Sequence, residues 1–450
     1  MNYNNTDIII ARATPVGKSA LAVVRLSGAN LKKIISIFFP QKKFKPNVMS
    51  RQTIKTINTK VVLDSCMITF YQAPKSFTGE DMLEIFCHGN DIVVENIINE
   101  FIGCNIRGAY PGEFSYRAFK NNKIDLLQAE SIVAKINQNS SMFSSVLENL
   151  ESGSTSKQLN VLRKKIINIQ SIVEYELDFN EDEITHINMD DIKKVVIDLL
   201  FKIEQILTYS LQLQRIERGY KLILLGRPNV GKSTLFNQLV GIDKAIVTEI
   251  KGTTRDVLES SIYIKGVPFI LYDTAGYRKT KDKIESLGVN RALKQAKEAD
   301  IIFMLDEKKP KSEFNLFTKR FPFLKQKKVV FIKSKCDKTK FISSQGVLSI
   351  SCKNGRGINK LLTELLTVVG FDFEVDLSNH IVLCNERQVD LLKKIKLVFD
   401  GVLNDLNVGL EMDIVASQIR KGSDLFEELL GKLTSDEILN NIFKGFCVGK

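Results

Sequence analysis

The spacing of apolar residues changes habit three times along the chain. Residues 7–28 hold two short apolar runs on either side of Thr14-Pro-Val-Gly17, a strand–turn–strand pattern. Residues 60–63, 66–71 and 82–87 read as further strands, and 92–101 as a helix. Pro111-Gly112 breaks the chain and opens a helical region, with Glu113 or Ser115 available to serve the helix start. Leu159, Leu162, Ile166, Ile169 and Val173 then recur at alternating three- and four-residue spacing, which predicts a helix with one apolar stripe. Ile192, Val195, Leu199, Ile203 and Ile206 predict a second. The acidic run 178–183 between them reads as a solvated loop or helix end. The stripes stop at Arg218-Gly219. They return after about residue 376, in Val389, Leu392, Ile395 and Val398 and in Ile414, Val415, Ile419, Phe426 and Leu429. Between these points strands alternate with helices, at 221–225, in a hairpin over 261–272 turning at Lys265-Gly266, and at 301–305, 329–333 and 347–349. The expected architecture is multidomain α/β plus α. An α+β domain spans 1–118, a discontinuous helical domain spans 119–218 and 374–450, and a domain with a mostly parallel sheet is inserted over 219–373.

Chemistry enters at the first strand of the inserted domain. Gly226-Arg-Pro-Asn-Val-Gly-Lys-Ser-Thr234 fits the phosphate-cradling pattern G-x-x-x-x-G-K-[ST] and lies between an apolar strand and a helix, as that pattern requires. Gly226 and Gly231 let the backbone wrap a polyphosphate, and the new helix turns free N–H groups toward it. Lys232 reaches the β and γ phosphates, and Ser233 ligates Mg²⁺. Thr254, within Val247-Thr-Glu-Ile-Lys-Gly-Thr-Thr-Arg-Asp256, is placed for Mg²⁺ and the γ phosphate. Asp273 opens Asp273-Thr-Ala-Gly276 as the Mg²⁺-side carboxylate, and Gly276 offers a backbone N–H that hydrolysis would release. The expected nucleotide contacts are Asn229, Val230, Gly231, Lys232, Ser233 and Thr234, then Thr248, Glu249, Ile250, Lys251, Gly252, Thr253 and Thr254. Asp273, Thr274, Ala275 and Gly276 follow, with Ser334, Lys335, Asp337, Ser351, Cys352 and Lys353 around the base. Three phosphate-side motifs in this order imply a GTPase of the translation-factor class. The base-reading motif departs from the usual Asn-Lys-x-Asp and is Ser334-Lys-Cys-Asp337. Asp337 keeps an acceptor for the guanine N1 and N2 hydrogens, so guanine specificity is expected to survive with reduced affinity.

Composition narrows the class without choosing a function. A chain of 450 residues with 44% hydrophobic and 26% charged residues is ordinary globular protein of two or three domains. A net charge of +12 favours an anionic partner such as nucleic acid. Seven dispersed cysteines with no C-x-x-C pair, and only three histidines, argue against a zinc cluster and for reduced thiols in a cytoplasm. No apolar run approaches membrane-spanning length, and the first residues lack a basic segment leading into an apolar one. Glu84 stands inside a strand; alternation alone favours a solvated strand face for it.

Several stretches together resemble the TrmE/MnmE family of tRNA-modification GTPases. They are Asp7 with Arg25-Leu-Ser-Gly28, Ser76-Phe-Thr-Gly-Glu-Asp81 with Glu84 and His88-Gly89, and Arg107 with Pro111-Gly-Glu-Phe-Ser115. Asn122-Lys-Ile-Asp-Leu126, the phosphate loop, Gly252-Thr-Thr-Arg-Asp256 and the terminal Phe446-Cys-Val-Gly-Lys450 complete the set, so the likeness runs nearly end to end. The resemblance implies a homodimer joined through the N-terminal domains, which bind 5-formyl-tetrahydrofolate or a related tetrahydrofolate. Arg25, Glu84, Lys123 and Lys450 would be the folate residues, so that Glu84 faces the pterin rather than solvent. Cys447 is the family's C-terminal cysteine, a reactive thiol or a packed one. The resemblance further implies K⁺-dependent hydrolysis as two nucleotide domains close on each other. Asn229, Thr248, Ile250 and Thr253 would surround the K⁺. Glu285 would orient the attacking water, and Arg255 and Arg278 would stabilise the closed pair. With an FAD-dependent MnmG-type partner, in a heterotetramer, such proteins add a carboxymethylaminomethyl group at C5 of the wobble uridine of certain tRNAs.

Two other classes remain at this point. A regulatory or ribosome-assembly GTPase shares the nucleotide motifs but leaves the N-terminal domain and the terminal Cys-Val-Gly-Lys unexplained. A helical scaffold with a decayed nucleotide domain is opposed by Lys232, Ser233, Asp273 and Glu285.

Overall fold

The protein is represented by a computed structural model that describes residues 7–40, 43–138, 140, 143–178, 189–242, 259–272, 295–337, 345–370, 377–409, 411–446 and 448–449. It forms two compact units. One comprises Met1–Asn137, Leu147–Glu204 and Asn385–Lys450, the other Gln138–Val146 and Gln205–Cys384.

The first unit contains strands β1 (Ile9–Arg12), β2 (Ser19–Ser27), β3 (Met49–Lys55), β4 (Val62–Tyr71), β5 (Met82–Gly89) and β6 (Arg107–Gly108). They form one sheet in the order β3-β4-β5-β2-β1-β6, antiparallel except for the β1–β6 pair. One face buries Ile10, Ala22, Val24, Leu26, Ile68, Leu83 and Ile85 with Leu31 and Ile35 of the helix Leu31–Phe38 and Val94, Ile97 and Phe101 of the helix Asp91–Ile102. The residues expected as two strands at 60–63 and 66–71 form the single strand β4. Lys60 instead takes a left-handed turn conformation (φ 60°), closed where the Thr56 hydroxyl accepts the Val61 N–H at 2.9 Å. Strand β3 and the helix Leu31–Phe38 were not legible in the sequence. β3 is a sheet edge whose side chains are mostly exposed, so it carries no apolar period.

The helical part of this unit includes the helices Glu113–Lys120, Leu126–Asn137, Ser154–Asp178, Glu386–Val408, Met412–Leu429 and Asp436–Lys444. Leu159, Leu162, Ile166, Ile169 and Val173 are all buried. In the helix Met189–Arg218, Val196 rather than Val195 takes the buried stripe position. Likewise Phe399 rather than Val398 is buried, and Ile414 is 41% exposed. These are one-residue errors of phase, which a 3.6-residue period permits when two apolar residues are adjacent. At the helix start after Pro111-Gly112, Glu113 is the first helical residue, as expected, and its Oε2 accepts the Tyr110 N–H at 2.8 Å. Gly112, in a left-handed conformation (φ 68°), occupies the cap with no side-chain hydrogen bond. Glu113 is fully buried and serves an ionic cluster, and the buried Ser115 hydroxyl has no partner among the described residues. Of the acidic run, Asp178 ends its helix and 179–183 lie outside the described residues. Among the described residues no helix is long and apolar enough to cross a membrane.

The second unit contains β7 (Tyr220–Leu225), β8 (Glu259–Ile264), β9 (Val267–Tyr272), β10 (Ile301–Asp306), β11 (Lys328–Lys333) and β12 (Leu348–Ser349). The order is β12-β11-β10-β7-β9-β8, and all pairs are parallel except β8–β9. The hairpin turns at Lys265 (φ 49°) and Gly266 (φ 83°), the two positive-φ positions of a tight right-twisted connection. Strands β7 and β10 are central and nearly wholly apolar, as parallel strands covered on both faces must be. A mostly parallel inserted sheet between helical segments agrees with the sequence reading. The basic stretch 308–328 supplies the helix Pro310–Arg320 and a short 3₁₀ turn at Pro322–Gln326.

Candidate functional site

In the second unit the motif residues lie at the carboxyl ends of neighbouring parallel strands, where open α/β sheets bind ligands. The phosphate loop leaves β7 and enters the helix Lys232–Ile242. Gly226 has φ 147°, and a Cβ there would stand 2.2 Å from the Leu305 carbonyl oxygen, so only glycine fits. Asn229 is itself left-handed (φ 62°) with an exposed side chain, and Val230 is buried beneath it. Lys232 folds back over the loop: its Nζ donates to the carbonyls of Gly226 and Arg227, each at 2.8 Å. Burial holds its pKa below the usual lysine value. No carboxylate pairs with it among the described residues, so the ammonium is held by neutral acceptors that a phosphate can replace. Ser233 and Thr234 are exposed at the helix start.

The base-reading segment follows β11. Ser351 Oγ donates to Asp337 Oδ1 at 2.9 Å, and the Cys336 N–H donates to the Ile350 carbonyl at 3.1 Å, so the two base-side loops brace each other. Cys352 lies against Asp337; burial first and that carboxylate second push its thiol pKa up. Lys353 is exposed. Lys335 bridges to the phosphate loop, donating to the Asn229 carbonyl at 2.6 Å. Ser334 is 4% exposed and its hydroxyl has no partner among the described residues. Its smaller side chain thus leaves a buried polar atom unpaired. Thr248, Glu249, Ile250, Lys251, Gly252, Thr253, Thr254, Arg255, Asp273, Thr274, Ala275, Gly276, Arg278 and Glu285 lie outside the described residues. The described donors fit a bound polyphosphate with Mg²⁺: a free helix start, a hydroxyl at Ser233 and a cation resting on carbonyls.

In the first unit, sheet register sets Arg25 of β2 opposite Glu84 of β5. Arg25 reaches Glu84 Oε1 from Nη2 at 2.7 Å and from Nε at 2.9 Å, and the Tyr71 hydroxyl donates to Glu84 Oε2 at 3.1 Å. Glu84 keeps only 14% of its side chain exposed, so the solvated face favoured by alternation is not what forms. A charge partner directly across the strand pair overrides the pattern. Tyr71, itself raised in pKa by burial and then by the Glu84 charge, is a site residue the sequence reading missed. Phe77, about a third exposed, has its ring 5.9 Å from the Arg25 guanidinium carbon. Lys123 donates to the Pro74 carbonyl at 3.0 Å, on the same 74–80 loop as Phe77. Arg25 Nη1 also donates to the Gly449 carbonyl at 3.2 Å. Gly449 has φ 91°, and a Cβ there would meet the Arg12 carbonyl oxygen at 2.3 Å, so the tail's glycine is needed for this approach. Cys447 and Lys450 lie outside the described residues. Carboxylate, guanidinium, phenol and an accessible aromatic ring fit a flat heterocycle carrying both donors and acceptors, which is the chemistry of a pterin.

Beneath this site lies an ionic cluster. Arg117, 1% exposed, contacts Asp7 Oδ1 at 2.6 Å, Glu80 Oε2 at 3.1 Å and Glu113 Oε1 at 3.1 Å. Arg107 contacts Glu113 at 2.6 Å and Asp7 at 2.9 Å. Burial pushes the Asp7 pKa up, but the hydrogen bonds and charges of both guanidiniums outweigh it and leave it below the ordinary value.

Comparison with known proteins shows the family. Residues 8–123 match the family model described as the GTP-binding protein TrmE N-terminus, and residues 126–447 match the MnmE helical domain. The chain is 34% identical to the tRNA modification GTPase MnmE of Aquifex aeolicus (strain VF5), over 98% of this chain and 99% of that one. It is 35% identical to the MnmE of Fervidobacterium nodosum, over 99% and 98%. Among solved structures it is similar to the G domain of the T. maritima FeoB iron transporter, with 25% identity and TM-score 0.25 over 33% of this chain and 98% of that one. With matches covering nearly its whole length, the chain belongs to the TrmE/MnmE family of tRNA modification GTPases.

Proposed function

We propose that this GTPase is K⁺-dependent and acts with an FAD-dependent MnmG-type partner to add a carboxymethylaminomethyl group at C5 of the wobble uridine of certain tRNAs. A tetrahydrofolate would carry the one-carbon unit at Arg25, Glu84, Lys123 and Lys450, within an N-terminal domain of residues 1–118 that also joins two chains as a homodimer. Residues 219–373 form the hydrolytic domain in this reading, carried by helical segments 119–218 and 374–450. Ser233 and Thr254 hold Mg²⁺, and Asn229, Thr248, Ile250 and Thr253 surround K⁺. A fixed cation beside the phosphates offsets charge that develops during phosphoryl transfer. Lys232 and Arg255 stabilise that charge, and Glu285 orients water. The protein works in the cytoplasm.

The observation that best supports the folate half is the Gly449 carbonyl on Arg25, beside Glu84 and Tyr71. It brings the chain's last residues to the N-terminal sheet. Support for the hydrolytic half is the exposed, left-handed Asn229 in a loop whose lysine has no carboxylate partner among the described residues. The deciding experiment is deletion of the gene followed by nucleoside analysis of tRNA, with loss of the modified wobble uridine expected. An unchanged nucleoside profile would sink the assignment. GTP hydrolysis in K⁺ is expected to exceed that in Na⁺ at equal ionic strength, and equal rates would remove the cation mechanism.

A further inference from the structure

We infer that the connection from β10 into the helix Pro310–Arg320 is a clamp that retains bound nucleotide, with Glu307 of the loop and Glu313 of the helix's first turn as its positioning residues. Two separate ion pairs, one from the loop and one from the helix it enters, reach the phosphate side of the site. Glu307 Oε1 accepts from Lys335 Nζ at 2.5 Å, and the same Nζ donates to the Asn229 carbonyl at 2.6 Å. Six residues on, Glu313 takes Arg227 in a two-pronged pair, Nε to Oε1 at 2.8 Å and Nη2 to Oε2 at 2.6 Å. The loop itself is fixed: Asp306 Oδ1 accepts the N–H groups of Lys308 and Lys309 at 2.8 and 2.7 Å, and the Asp306 carbonyl accepts the Ser334 N–H at 3.0 Å.

The need for such a clamp is visible in the backbone. Asn229 (φ 62°) and Lys335 (φ 55°) both stand in the left-handed region, which costs a non-glycine residue free energy unless the surroundings hold it there. The Lys335 side chain ties the two segments together, and Glu307 fixes its position. Without that carboxylate the Asn229 carbonyl loses an oriented donor, and the loop relaxes away from the shape that surrounds phosphate. The Arg227–Glu313 pair acts on the loop's first turn, but Arg227 is 61% exposed, so its share is smaller. Neither carboxylate contacts the phosphates' own ligands Lys232 or Ser233 among the described residues. The consequence is therefore faster release rather than slower chemistry.

This inference rests on residues Gly226 to Thr234 being the phosphate site, and the test separates the two. Release of a fluorescent GDP analogue from the full chain is followed after adding excess GDP, beside single-turnover hydrolysis of bound GTP. E307A is expected to release the analogue about three- to fivefold faster, the loss of one partly exposed ion pair. E307Q keeps an acceptor and falls between E307A and the parent. E313A releases about two- to threefold faster. Single-turnover hydrolysis stays within about twofold of the parent in all three. A merely destabilised fold is distinguished by the nucleotide-free thermal midpoint and by the E307A/K335M double variant, which should release no faster than K335M alone. Release from E307A at the parent rate, or an additive double variant, overturns the clamp. A K232A variant that binds the GDP analogue as tightly as the parent would instead overturn the phosphate-site reading beneath it.

Discussion

Arg25 and Lys232 are both site cations, but they are held in opposite ways. Arg25 sits on a strand, and sheet register delivers Glu84 to it from the neighbouring strand. Lys232 sits at a loop–helix junction and rests on two carbonyls of its own loop. The first arrangement is neutral before any ligand arrives and suits an amphoteric ring that can insert among paired groups. The second has no carboxylate partner among the described residues and suits a polyanion. Around the first site charge is part of the fold, because Arg117 and Glu113 are buried beneath it. Around the second a described core cluster is apolar.

The largest test of that contrast is Arg117→Met. Removing one member of a buried ionic cluster leaves Glu80 without its arginine, and Asp7 and the fully buried Glu113 with Arg107 alone, so the N-terminal unfolding transition should lose about 3–5 kcal/mol. A denaturant midpoint close to the parent's would erase the distinction between the two units. Next is Lys232→Ala, expected to weaken GTP binding about a hundredfold, near 3 kcal/mol, without lowering the nucleotide-free thermal midpoint. A large drop in that midpoint would mean that this cation, too, holds the fold. Glu84→Gln should weaken tetrahydrofolate binding about tenfold and leave GDP affinity unchanged, as read by titration calorimetry with each ligand. If Glu84→Gln binds the folate as the parent does, the Arg25–Glu84 pair is structural only. The smallest effect is in acid. Asp7 and Asp64 have folded pKa values below their ordinary 3.8. Burial raises each, but guanidiniums outweigh it at Asp7 and the His88 backbone and ring do so at Asp64. Their contribution is complete above the unfolded value and is lost as pH falls through the lowered folded value. Asp7→Asn should therefore cost stability near neutral pH and flatten the acid-unfolding curve below about pH 4. A parallel shift of the whole curve would assign the effect to packing.

Much of the architecture was open to reading because its signals are local. The phosphate loop announces itself through glycines that backbone geometry demands. The helices Ser154–Asp178, Met189–Arg218, Glu386–Val408 and Met412–Leu429 announce themselves through their stripes, apart from phase slips at Val195, Val398 and Ile414. Strand β3 escaped because an exposed edge has no buried face to pattern. Glu113 is the helix-start residue the sequence offered, but its pairs with Arg107 and Arg117 are legible only once the chain has folded around them. Tyr71, Glu307 and Glu313 carried no motif; each became a site candidate through a neighbour distant in sequence.

By itself the sequence determined most of the elements, the insertion of a mostly parallel α/β domain between helical segments and the phosphate-loop motif. These follow from periodicity and from short-range backbone requirements. Tertiary structure alone decided which charges meet. It paired Glu84 with Arg25 through sheet register, buried Arg117 among three carboxylates and set the Gly449 carbonyl on Arg25. Such pairings join residues up to 424 positions apart, and their strength depends on distance and burial, quantities that a linear pattern does not carry.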